Sequence, residues 1–214
     1  MRRLTLGLVV ALGLARSAYA APCCGPITPD GERLAHFLDD TGVDHLWQAG
    51  QRVNWETGEP IQVGKQTSTH CSAFAAAVAE QLGVYILRPP QHPQDLLANA
   101  QMGWLRRDGG VPYGWRSLPD PTAAQAAANR GELVVEAFEN PNLAQPGHIA
   151  IVRPSLQSAE ALARGGPRET QAGATNAFNI STAHGFSHHR GAWEPGGSGG
   201  IRYFAHVIDW SKIP

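Results

Sequence analysis

Lysine is almost missing from this chain: Lys65 and Lys212 are the only two among 214 residues. Charged residues of both signs make up 16%, against roughly 25% in an average soluble domain. With a net charge of −1, there is no basic surplus to neutralise phosphates, so nucleic acid is not an expected partner. Long apolar runs are lacking too. The one candidate, Leu4 to Ala15, covers twelve residues, too few to cross a hydrocarbon core of about 30 Å as a helix. The sequence has no internal repeat and no linker composition dividing two cores. What it does have is 43% hydrophobic residues with 24 glycines and 16 prolines. That composition excludes wholesale disorder and points to a loop-rich globule.

The apolar run has a different use. Arg2 and Arg3 precede it, and Ala18-Tyr19-Ala20 follows it as a small-x-small exit. This is the layout of a cleavable export signal. A cut after Ala20 leaves 194 residues and removes Arg2, Arg3 and Arg16 but no acid, so the balance becomes −4. The expected location is periplasmic or secreted, with no integral membrane segment after cleavage. The expected division is a signal peptide at 1–20, a leader with a helical segment at 21–65, and a catalytic domain at 66–214.

Export implies an oxidising compartment in which disulfides are the default. Three cysteines, Cys23, Cys24 and Cys71, leave one thiol over. Cys23 and Cys24 stand at the mature N-terminus and can pair with each other or with another chain. Cys71 stands in a structured context. Phe74, Ala77, Val78, Gln81 and Leu82 recur at helical spacing, with Ser68 or Thr69 as a cap and Gly83 as a stop. Cys71 therefore falls in the first turn of a helix, where unpaired N–H groups and the dipole favour the reactive thiolate.

The rest reads as helices first and strands later. Helical spacing is expected near 32–38, 94–106, 122–129 and 158–164. Strands are expected at 84–87, 132–138, 148–152, 168–173 and 201–208, with 184–200 a glycine-rich loop. The order predicts an α+β fold with N-terminal helices packed on a C-terminal antiparallel sheet.

His148 is the best placed of nine histidines. It opens a strand directly after Pro146-Gly147, with Ile149, Ala150, Ile151 and Val152 behind it. A third group must accept the second imidazole N–H. The following strand offers Gln171 first, with Asn176 and Glu169 as alternatives. Together, Thr-His-Cys-Ser-Ala-Phe-Ala-Ala-Ala-Val and Pro-Gly-His-Ile-Ala-Ile-Val resemble the papain-like cell-wall hydrolases, the NlpC and CHAP groups of peptidoglycan amidases and endopeptidases. The resemblance covers about 66 to 176. His70-Cys71 stands where those groups carry Asp-Cys or Asn-Cys.

That resemblance implies a papain-like fold and amide hydrolysis through a Cys71 thioester. His148 would be general base and acid, and peptidoglycan or peptide the substrate. No cofactor is implied. An oxyanion would rest on the Cys71 N–H, with Gln66 as a further donor. Tyr113 and Trp115 are the expected cleft walls, Trp115 the better one. His184, His188 and His189, with His206, raise the question of a metal, and His184 and His188 stand four apart, but in a glycine-rich loop without acidic company, so no metal site is expected. The remaining alternatives are a non-catalytic periplasmic binding or adaptor module, or a cysteine protease acting on protein.

Overall fold

The computed structural model describes residues 22–62, 69–107, 110–196 and 199–213. The expected export signal lies outside the described residues. The centre is helix α2, Cys71–Gln81, whose residues from Cys71 to Ala79 are all buried. Periodicity alone predicts one apolar face. A helix apolar all round belongs in an interior, and the run of alanines lets neighbours close on every side. They are α3, Leu97–Arg107, and a six-stranded sheet.

The sheet is antiparallel throughout. Its strands are β3 (Arg116–Leu118), β4 (Leu133–Phe138), β5 (His148–Val152), β6 (Arg168–Gln171), β7 (Ala177–Ser181) and β8 (Arg202–His206). They lie in the order β3-β8-β4-β5-β6-β7. One face, with Val135, Ala137, Ile149, Ile151 and Phe204, joins α2 in the larger core. The other, with Val134, Phe138, Ala150, Val152 and Tyr203, meets Ala124, Ala127 and Ala128 of α4, Pro121–Asn129, and Phe186. Burial on both faces is why β4 and β5 read as nearly continuous apolar runs.

The remaining elements are helix α1 (Pro29–Asp39), the short hairpin β1 (Arg52–Val53) with β2 (Pro60–Gln62), and helices α5 (Ala159–Gly165) and α6 (Thr182–Gly185). Thr28 caps α1 by accepting the Gly31 N–H. Leu34 and Leu38 of α1 sit in the same core as α2. The segment expected as a leader thus shares its core with the rest. Asn176 strengthens the tie by donating to the carbonyls of Val43 at 2.7 Å and Leu46 at 2.8 Å.

Several local expectations change. Residues 84–87 form no strand; Val84 returns its N–H to Ala79 instead. β3 and β7 were not expected, and α6 occupies the start of the supposed loop. Thr69 does not cap α2: the cap position is His70, without a side-chain cap bond, and Ser68 lies outside the described residues. Cys23 and Cys24 are joined as a disulfide, and Cys71 is free. No described helix is long and apolar enough to cross a membrane.

Candidate active site

The chain enters β5 through Gly147. A side chain there would collide with the Phe138 carbonyl and the Asn99 side-chain oxygen, so this approach requires glycine. The next residue is His148. Its Nε2 lies 2.6 Å from Gln171 Oε1. An amide oxygen only accepts, so Nε2 carries the hydrogen and Nδ1 is the basic nitrogen of the ring. Gln171 is itself oriented, because its Nε2 donates to the Thr175 carbonyl at 2.8 Å.

The His148 ring meets Phe186 edge-on, with centroids 4.6 Å apart, and stacks on His189 at 5.0 Å. Burial, with the nearby imidazoles of His189 and His188, lowers its pKa to about 3, against a raising contribution from Gln171. The resting imidazole is neutral.

Cys71 reaches the same stretch of β5. The β5–β6 ladder pairs Ile151 with Thr170 and Val152 with Glu169. Beyond those pairs the backbone N–H groups of Ile149, Ser72 and Cys71 itself favour negative charge on the sulfur. Burial outweighs these donors and pushes the thiol up from its ordinary value. This corrects the expectation of a depressed thiol. A helix N-terminus favours the anion, but only 4% of the residue is exposed, and desolvation is the larger effect. The structure thus brings His148 to Gln171, and Cys71 to the residue after His148. Thiol and imidazole do not hydrogen-bond each other in this resting arrangement.

A cavity of about 290 Å³ opens onto His148 and Gln171, lined also by Thr69, His184, His188 and His189. A second, of about 400 Å³, holds Arg52, His70 and Ser72 and shares Thr69, Gln94 and Asp95 with the first. The two form a trough past the start of α2. The walls are therefore not the expected ones. Trp115 is 3% exposed and donates to the Tyr85 carbonyl from within the core. Tyr113 is half exposed but packs on Tyr85 and Trp104, away from this trough. Gln66 lies outside the described residues.

The alternatives to Gln171 have other partners. Asn176 holds Val43, Leu46 and the Gly173 N–H. Glu169 is fully buried beside Glu136. Glu136 and Phe186 were missed, and His189, weighed in the sequence only as a metal ligand, stacks on His148 instead. A glutamate in the middle of Leu-Val-Val-Glu-Ala-Phe is a signal that could have singled out Glu136. Among the described residues, no three His, Cys, Asp or Glu side chains converge to hold a metal. The chain matches no family model and no curated protein.

Proposed function

We propose that this protein is an exported cysteine hydrolase of papain-like type that cleaves amide bonds in peptidoglycan stem peptides. The observation that carries the reading is the hydrogen bond from His148 Nε2 to Gln171 Oε1, with the Cys71 sulfur at the next backbone N–H. Cys71 is the nucleophile, His148 the general base and then acid, and Gln171 the group that fixes the tautomer. Both partners rest neutral, so the proton leaves Sγ for Nδ1 as the sulfur attacks the carbonyl carbon. The oxyanion develops beside the N–H groups at the start of α2. The proton then passes to the leaving amine, and water opens the thioester. Purified sacculi incubated with the protein should release peptide fragments identifiable by mass, and Cys71→Ala should release none. Intact sacculi together with cleavage of a denatured protein would move the substrate class to protein.

A second reading, a non-catalytic binding module, is favoured by the burial of both Cys71 and His148. Retained binding to sacculi, without fragments from wild type or variant, would decide for it.

A further inference from the structure

Behind Gln171, on the same sheet face, two glutamates are packed with no exposure at all: Glu136 on β4 and Glu169 on β6. A side chain on Gly185 of α6 would overlap Glu169 Oε1 and approach Gln171 Oε1 to 2.9 Å. Those two oxygens are therefore neighbours under α6. Glu136 Oε2 accepts from the Thr182 hydroxyl at 2.8 Å. Glu136 Oε1 and both oxygens of Glu169 receive no N–H or O–H from any other described residue. Each carboxyl acts on the other, and two buried carboxyls with no other donor to those oxygens can settle side by side only with a proton between them.

We propose that Glu136 and Glu169 share one proton, and that the single negative charge left on the pair is the counter-charge to the imidazolium formed on His148 during the reaction. This rests on the cysteine-hydrolase reading. Gln171 is a neutral amide: it fixes a tautomer but offsets no charge. Glu136 stands opposite Ala150, so His148 is its diagonal neighbour across the ladder, about 7–8 Å away by strand geometry. At that range in a dry interior, a unit charge acts appreciably on an imidazolium. The proton sits on Glu169, which donates to Glu136, and the charge sits on Glu136, held by Thr182. No bond in the pair breaks during turnover; the thiol proton travels only from Sγ to Nδ1 and on to the leaving amine. Both glutamates are positioning residues.

The groups facing the pair agree with one retained charge. Burial raises Glu136 to about 7 and Glu169 well above the ordinary carboxyl range. Arg168 on β6 acts on Glu169 in the opposite sense. Tyr203 on β8, its buried hydroxyl without a partner, borders both carboxyls, with Asp120 ahead of α4 acting on it. His148, diagonal to Glu136 across the β4–β5 ladder, carries the stacked His189.

The test has one arm without substrate and one with it. In protein labelled with ¹³C at the glutamate carboxyls, one resonance should titrate near pH 7 and a second should stay protonated through that range. Glu136→Gln and Glu169→Gln assign them. Two ordinary acidic titrations overturn the shared proton. In the second arm, wild-type kcat/KM should fall about tenfold per pH unit below 7. Glu136→Gln should lose that limb and at least tenfold in kcat. Glu169→Gln, which can still donate to Glu136 without titrating, should keep the limb. Unchanged profiles in both variants overturn the counter-charge role. Wild-type protein that hydrolyses nothing, while the pair titrates as stated, overturns the hydrolase reading and the counter-charge with it, but not the shared proton.

Discussion

Glu169 Oε1 occupies the place where a side chain on Gly185 would begin. The α6 backbone thereby presses on a buried carboxyl that lies beside the Gln171 amide. Gly185→Ala should cost about 1–3 kcal/mol through overpacking and lower turnover by displacing Gln171. Calorimetry on Gly185→Ala, Glu169→Ala and the double variant checks the contact. The double variant should be more stable than the sum of the two singles, because removing the carboxyl makes room.

Cys71→Ala should abolish amide hydrolysis, and His148→Ala should reduce it by about 10²–10⁴-fold, the usual worth of a positioned acid–base group. Both side chains are buried, so each loss also carries a packing cost within the usual range of about 0.5–3 kcal/mol. Turnover measured beside thermal melts separates the two effects. Full activity in Cys71→Ala removes the nucleophile.

Gln171→Ala should lower kcat about tenfold to a hundredfold, the value of one orienting hydrogen bond of about 1–3 kcal/mol. Gln171→Glu keeps an acceptor oxygen and should retain activity. Asn176→Ala should act on stability instead, through the lost bonds to Val43 and Leu46. Wild-type turnover in Gln171→Ala would show that the amide orients nothing.

Iodoacetamide should label Cys71 slowly at pH 7 and faster as the pH rises, because the thiol is buried and its pKa is raised. Cys23 and Cys24, being paired, should stay unlabelled without reductant. Peptide mapping of the alkylated protein reads this out. Rapid labelling at pH 6 would restore the thiolate that the helix start was expected to create.

Stability should respond to pH through two opposed groups. His148 falls from 6.5 to about 3 on folding, so its neutral state stabilises above pH 6.5 and that contribution is lost as pH drops towards 3. Glu136 rises from 4.5 to about 7, so its contribution is complete below 4.5 and is lost as pH climbs to 7. Each has a limiting slope of about 1.4 kcal/mol per pH unit. His70 acts in the first sense and Glu169 in the second. Glu136→Gln removes one opponent, so its stability should rise with pH between 4.5 and 6.5 more steeply than that of wild type. Urea melts across that window test the difference.

The parts legible in the sequence were those set by local chemistry. Pro146-Gly147 before an apolar run fixed the start of β5 at His148, and Pro121 and Gly131 bracketed α4. Gln171 was reachable because consecutive strands tend to pair. The failures came from tertiary effects. Trp115 stands among glycines and reads as exposed, yet its indole is drawn into the core by the Tyr85 carbonyl. Cys71 sits at a helix start, but how deeply it is buried depends on β5 closing over it. β7 lies at the sheet edge with most of its residues half-buried, and its alternation rests on two residues, Phe178 and Ile180, too short a signal to stand out. The Glu136–Glu169 pair spans two strands and cannot be seen along one.

The two hydrogen bonds from Asn176 to the carbonyls of Val43 and Leu46 bear on how this molecule could be cut. The turn that follows Gln171 is pinned by chain more than 120 residues earlier. The first forty residues of the described chain are a brace for the working end of the sheet rather than a detachable handle. Transplanting 66–214 alone into another scaffold would carry the cysteine, histidine and glutamine without the clamp that sets the last of them. A nick in the 43–46 turn should loosen β6 before it disturbs α2.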